Sequence, residues 1–253
     1  MSIDLTDRRA LVTGAGHGIG RAVAEKLAAA GADVVVHYGS SAGAAEKAVA
    51  SITATGRKAW AVQADVTDPT AVRSLLATSV EHLGGLDILV TNAGHLVQRC
   101  PIADMDLSLW HRIVDVNATS TFLTCQAAIP ALRESRGRIV TMSSLAAHNG
   151  GGPGSVAYAA AKAAVAGFTR GLAKELAPDG VGVNAVAPGF IGGTAFHDTF
   201  TPPAAQSSIV SGIPLGRAGT ADDVADAVLW LASPLAGYVT GETVDVNDGQ
   251  WPR

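Results

Sequence analysis

The sequence predicts an α/β fold, a doubly wound parallel sheet of seven strands with helices on both faces, built as a single domain over residues 1–253. Three observations carry that expectation. Seven short apolar runs punctuate the chain, at 11–13, 34–37, 59–62, 88–90, 139–141, 183–186 and 243–246, and such runs are what strands buried on both faces of a parallel sheet look like. Segments of helical pattern separate them, which is the βαβ alternation of this class. The alternation is even throughout, so no linker divides the chain.

Taken in order, the first run, Arg9-Ala10-Leu11-Val12-Thr13, leads through Gly14-Ala15-Gly16-His17-Gly18-Ile19-Gly20 into a helix over 21–30, with Ile19, Val23 and Leu27 at i, i+4 and i+8. A strand, a glycine turn and a helix in succession let backbone N–H groups approach a pyrophosphate, and the helix N-terminus adds partial positive charge. The spacing is T-G-x-x-x-G-x-G, with Thr13, Gly14, Gly18 and Gly20 as its fixed members, not G-x-G-x-x-G. The second run ends in Tyr38-Gly39-Ser40-Ser41, the third is followed by Asp65-Val66, and the fourth by Thr91-Asn92-Ala93-Gly94. A long helical segment after Trp110 holds Asn117. The fifth strand, 138–142, ends at Ser143-Ser144 and the sixth, 181–187, at Pro188-Gly189. Sheets of this kind bind ligands at the carboxyl ends of their strands, where Thr13, Asn92, Ser144 and Pro188 fall.

Tyr158-Ala159-Ala160-Ala161-Lys162 sets a phenol and an ammonium one turn apart on one helix face. A tyrosine ionises near pH 10, and a nearby cation favours its phenolate, so the pair has the makings of a proton donor and acceptor.

Composition narrows the classes. The formal net charge is −4 and there is no basic run, so no footprint for nucleic acid exists. No stretch of about 18 apolar residues occurs, so a membrane span is not expected. The first nine residues carry acids and lack the apolar core of a signal peptide; with Cys100 and Cys125 outside any C-x-x-C spacing, the expected location is cytoplasmic. The seven histidines show no metal-binding spacing, so no metal is expected.

With these motifs in this order, from about residue 5 to about residue 249, the chain resembles the short-chain dehydrogenase/reductase family, in the branch of the 3-oxoacyl-[acyl-carrier-protein] reductases and glucose 1-dehydrogenases. The resemblance implies a Rossmann-type fold and hydride transfer between a nicotinamide cofactor and a ketone or secondary alcohol. It gives Tyr158 the role of general acid in reduction, or base in oxidation, and Lys162 the nicotinamide ribose hydroxyls and a bias of Tyr158 toward phenolate. Ser144 hydrogen-bonds the substrate oxygen, and Asn117 holds a water linking Lys162 to solvent. It implies cofactor contacts from Gly14, His17, Gly18 and Ile19, from Asp65 and Val66 at the adenine, and from Asn92, Ala93 and Gly94. Beyond the sixth strand it implies contacts from Pro188, Gly189, Ile191 and Thr194. Two spacings depart from the family pattern: the interval from Ser144 to Tyr158 is one residue longer than in many relatives, with the glycine loop 149–154 able to absorb it, and so is the segment from Pro188 to Thr194.

By the same resemblance Tyr38 stands where an NAD-specific site puts an acid, and Ser40 or Ser41 can donate to a 2'-phosphate, so NADP(H) is favoured. His17, where many NADP enzymes have Arg or Lys, leaves NAD(H) open. The segment 189–220 reads as a substrate lid with few regular periods, its Phe190, Phe196 and Phe200 lining an apolar pocket or pinning the lid down. Ser135 and Asp179 occupy the basic carrier-docking positions of the acyl-carrier branch, which favours a free small carbonyl, sugar or polyol; Arg133, Arg136 and Arg138 keep the carrier-dependent reductase as the alternative. A non-catalytic NADPH-binding sensor is the second alternative. The small side chains of 157–167 fit the helix pairing by which the family builds homotetramers.

Overall fold

A computed structural model describes residues 3–251; residues 1, 2, 252 and 253, the outer ends of the expected domain, lie outside the described residues. All seven expected strands form: β1 (Arg9–Val12), β2 (Asp33–Tyr38), β3 (Ala59–Gln63), β4 (Ile88–Thr91), β5 (Arg138–Met142), β6 (Gly182–Pro188) and β7 (Thr243–Val246). Between them run α1 (Gly18–Ala29), α2 (Ala42–Thr53), α3 (Pro69–Leu83), α4 (Leu107–Val114), α5 (Ser120–Ser135), α6 (Ala146–Asn149), α7 (Val156–Leu176), α8 (Ala195–Phe200), α9 (Pro203–Ser211) and α10 (Ala221–Ala232). The sheet order is β3-β2-β1-β4-β5-β6-β7 and every neighbouring pair is parallel. The winding reverses between β1 and β4, which opens a crevice at their carboxyl ends.

The apolar runs are continuous because both faces of the sheet are covered, and the two-residue strand period divides them. Ala10, Val12, Val34, Val36, Ile88 and Val90 pack with Val23 and Leu27 of α1 and Val224 and Val228 of α10. Leu11, Val35, Leu89 and Ile139 pack on the opposite face with Leu75 of α3, Leu132 of α5 and Leu172 of α7. Helix ends follow local chemistry. The Asp68 carboxylate accepts from Thr70 N at 2.8 Å with Pro69 opening α3, and Gly84 closes it at φ 74°; Thr220 and Asp223 form a reciprocal capping box on α10.

Three local expectations are revised. α1 begins at Gly18, so the last two glycines of the turn belong to its first turn. The helix after Trp110 is interrupted by a π turn over Asp115–Thr119, centred on Asn117, whose amide donates to Ile113 O at 2.8 Å. The lid segment is not irregular: it carries α8 and α9, and its two ends are joined, Gly192 N donating to Gly219 O at 2.9 Å and Gly219 N to Phe190 O at 3.0 Å.

Candidate active site

A cavity of about 540 Å³ opens at the carboxyl ends of the central strands, running from the glycine turn to the lid. At one end Gly14 and Gly18 take φ of 63° and 55°, a region that disfavours a side chain. Asn92 fixes the turn, its amide donating to Thr13 O at 3.0 Å and Gly14 O at 3.1 Å, while the Thr13 hydroxyl accepts from Ala93 N at 3.0 Å. A Cβ on Gly20 would collide with the Gly14 carbonyl and the Asn92 amide. His17 precedes α1 without any side-chain cap. The first N–H groups of that helix therefore face a cavity lined by His17, Gly18 and Ile19, an arrangement suited to an anion.

Beneath the turn lies a residue that motif reading missed. His37, 2 % exposed, accepts from Gly14 N at Nδ1 (3.0 Å) and therefore donates through Nε2 to Ala64 O (3.1 Å). Burial lowers its pKa, which holds it neutral. It ties the glycine turn to the chain just before Asp65. The sequence signal was a polar residue inside the apolar run of β2.

The adenosine-end candidates gather outside the cavity lining. Tyr38 ends β2, Ser40 is exposed, and Ser41 begins α2 without a side-chain cap. The Asp65 carboxylate is tied through one oxygen to Thr67 N (2.8 Å) and Thr67 Oγ1 (2.6 Å), which lowers its pKa. Val66 is buried. No carboxylate occurs over 38–41.

At the middle of the cavity the two serines separate by role. Ser143 is buried and its hydroxyl donates to Lys162 O at 3.0 Å, whereas Ser144, whose hydroxyl accepts from Ala146 N at 3.1 Å, lines the cavity together with Tyr158. Between Ser144 and Tyr158 the glycine loop turns through Gly150, Gly151 and Gly154, all with positive φ. Tyr158 sits in the first turn of α7 and Lys162 one turn later, its Nζ donating to Met142 O at 2.8 Å and lying 5.7 Å from the Tyr158 ring centroid. Burial pushes Tyr158 up to about 12, with Ser144 pulling the other way, and brings Lys162 down to about 8. Tyr158 is therefore protonated at neutral pH. Asn117 clamps the segment after β4, donating to His95 O at 2.7 Å and accepting from His95 N at 3.2 Å. A Cβ on Gly94 would come within 2.7 Å of Asn117 Oδ1 and 3.0 Å of Lys162 Nζ, so only glycine leaves both groups in place.

The far end is closed by the lid. Phe196 lies 5.7 Å from Tyr158 between ring centroids, Phe200 packs on Phe196 and on His95, and the buried Phe190 carries His197 at 4.4 Å. Phe190 and Phe196 line the cavity; Phe200 holds the lid down from behind. The Thr194 hydroxyl donates back to Ile191 O at 3.0 Å, and both residues line the cavity with Pro188 and Gly189. His95, Arg99, His197 and Gln250, none singled out by motif, complete this end. The Gln250 Oε1 is buried without a partner beside Gly189. The uncapped helix start and the glycine at Gly94, where a side chain would strike Asn117 and Lys162, fit a dinucleotide. Among the described residues no group of three or more His, Cys, Asp or Glu is placed to hold a metal, and no helix is long and apolar enough to cross a membrane.

Comparisons with known proteins agree with this geometry. A family model described as enoyl-(acyl carrier protein) reductase matches residues 14–250. The chain is 43% identical over 248 residues to a 3-oxoacyl-[acyl-carrier-protein] reductase of Synechocystis sp., covering 97% of each. It is 41% identical over 254 residues to the 3-oxoacyl-[acyl-carrier-protein] reductase FabG of Aquifex aeolicus, covering 99% of this chain and 100% of that one. Among solved structures, a short chain dehydrogenase from Burkholderia cenocepacia J2315 in complex with NADP superposes with a TM-score of 0.91 at 40% identity, over 97% of this chain and 98% of that chain.

Proposed function

This chain belongs to the short-chain dehydrogenase/reductase family and is an NAD(P)-dependent oxidoreductase acting between CH–OH and C=O groups, and from that premise we propose that it reduces a small carbonyl compound with NADPH, using Tyr158, Ser144, Lys162 and Asn117. The observation that carries the reading is the convergence of Ser144, Tyr158 and Lys162 on one cavity that is continuous with an uncapped helix start. When bound, the cofactor supplies the hydride. Tyr158, protonated at neutral pH, donates its Oη proton to the carbonyl oxygen, and Ser144 donates a hydrogen bond to the same oxygen as negative charge builds on it. Lys162, buried and aimed by the Met142 carbonyl, offers its remaining N–H groups to ribose hydroxyls and stabilises the phenolate left behind. Asn117 holds the water that restores the proton by way of Lys162. The cofactor contacts are those of the glycine turn, Asp65, Val66, Asn92, Ala93, Gly94, Pro188, Gly189, Ile191 and Thr194, with Asn92 acting through the turn it braces.

NADP is the preferred cofactor because 38–41 offers hydroxyls and no carboxylate to a 2'-phosphate, and the Burkholderia relative is in complex with NADP. The lid is 189–220, the described domain is one unit, the location is cytoplasmic, and the assembly is a homotetramer paired through the outer face of α5 and α7. A second reading, reduction of 3-oxoacyl groups on acyl carrier protein, is favoured by the names of the relatives. Against it, Arg133 is neutralised by Asp179 at 2.7 Å and the Ser135 hydroxyl turns inward to Leu86 O at 2.7 Å, although Arg138, held by backbone carbonyls, keeps its charge on this face. The test is a panel of simple ketones, aldoses, polyols and 3-oxoacyl thioesters assayed with both cofactors. Turnover of carrier thioesters alone would move the assignment to the second reading, and tight NADPH binding with no turnover would favour a sensor.

A further inference from the structure

Arg99 differs from most of the arginines that this fold holds in place. Arg9, Arg57, Arg133 and Arg217 each rest on a carboxylate, whereas Arg99 is held only by neutral groups. Its Nε donates to Phe200 O of α8 at 2.9 Å and its Nη1 to Pro153 O of the glycine loop at 2.8 Å. Two backbone carbonyls on opposite sides of the cavity mouth fix the guanidinium plane without cancelling its charge. A guanidinium has five N–H donors, so three remain. Gly152 lies against the guanidinium, where even an added Cβ would stand 3.4 Å from Nη1, and its lack of a side chain leaves that flank open.

The surroundings favour a negative guest. Among the described residues lining the cavity there is no Asp or Glu. His17 belongs to the glycine turn and Lys162 to Tyr158, which leaves Arg99 as the fixed charge at the lid end. His197 is kept neutral there by burial and by Arg99 itself. Arg99 itself is exposed at the mouth, Phe190 and Phe196 supply apolar walls further in, and charge-assisted hydrogen bonds are stronger than neutral ones.

We propose that Arg99 is the receptor for an anionic oxygen group, a carboxylate or a phosphate, carried by the carbonyl substrate, so that the substrate class is short oxo acids or oxo phosphate esters. This rests on the cavity being the site of carbonyl reduction. The test compares short oxo acids of graded spacing with their methyl esters, and keto phosphates with their dephosphorylated counterparts, using NADPH and the intact protein. The best anionic substrate should exceed its neutral counterpart by about ten- to a hundredfold in kcat/KM, mostly through KM, as one charge-assisted bidentate contact gives. The arm with the larger ratio identifies the anion. Arg99→Gln should collapse that ratio toward one while Arg99→Lys keeps part of it. Equal turnover of acid and ester by the parent, or an equal loss of both in Arg99→Gln, would overturn the proposal and leave Arg99 as a latch between lid and loop. A calorimetric arm separates the two premises: Tyr158→Phe loaded with NADP should bind the oxo acid and not its ester even where no turnover is found. Absence of any reduction by the parent, with that binding intact, counts against the oxidoreductase reading alone.

Discussion

At the residue scale the site is a balance between burial and charge. Tyr158 is pushed up to about 12, which suits the acid role proposed for it; Tyr158→Phe keeps the ring and removes the proton, and should lower turnover by about two to four powers of ten while NADPH still binds. Activity within tenfold of the parent would remove Tyr158 from the mechanism. Lys162 carries the opposite cost. Burial brings it from 10.5 to about 8, a penalty of roughly 3 kcal/mol on the charged form. Because its folded value is depressed, the unfolded chain binds more protons across that interval, so this group destabilises the fold below it and the penalty fades as pH rises through it. Lys162→Met should therefore raise the thermal midpoint near neutral pH even as turnover collapses, and a lowered midpoint would mean that the bond to Met142 outweighs desolvation. The serines give a sharper contrast: Ser144→Ala should cut the catalytic rate directly, and Ser143→Ala should act mainly on stability through the lost bond to Lys162 O. A reversed ranking in steady-state kinetics would move the substrate contact by one residue. Tyr38→Asp adds a ribose acceptor and a like charge beside a 2'-phosphate, and should shift the ratio of catalytic efficiencies toward NAD on the order of ten- to thirtyfold; an unmoved ratio would place Tyr38 away from the ribose.

At the element scale, what was legible in the sequence was what repeats locally. The central strands showed as apolar runs because both of their faces are covered, and the glycine turn showed because Gly14, Gly18 and Gly20 stand where a side chain is strained or collides. Gly20→Ala should accordingly weaken cofactor affinity and stability together, since it pushes on the Asn92 brace, and unaltered NADPH affinity by titration would show that the turn has room to relax. The rest depends on partners distant in the chain. Nothing near Asn117 announces its clamp on His95, 22 positions away, at the π turn. His37 reads as one polar residue in a strand until Gly14 and Ala64 meet it. Arg99 carries no motif, its anchors lying 54 and 101 positions away. Helix α8 was missed because its Phe196 and Phe200 pack on Tyr158 and His95 as single contacts, without a repeating face.

At the scale of the whole molecule, the outer face of α7 exposes Val156, Ala160, Ala163, Ala164, Gly167 and Gly171, with Phe122 of α5 edge-on to Phe168 beside it. Small side chains let a second helix approach closely. Gly167→Trp, which has open space within the protomer, should leave folding intact and lower the assembly state measured by light scattering; an unchanged mass would exclude this face from the interface. One further consequence follows from the hydrogen bonds between Gly192, Gly219 and Phe190 that join the two ends of the lid. An excursion whose entry and exit already touch imposes little on the sheet below, since lengthening a loop costs free energy only as the logarithm of its size. Residues 193–218 are in that sense an exchangeable cassette: replacing them would rebuild the wall beside Tyr158 while the strands and the glycine turn keep their places.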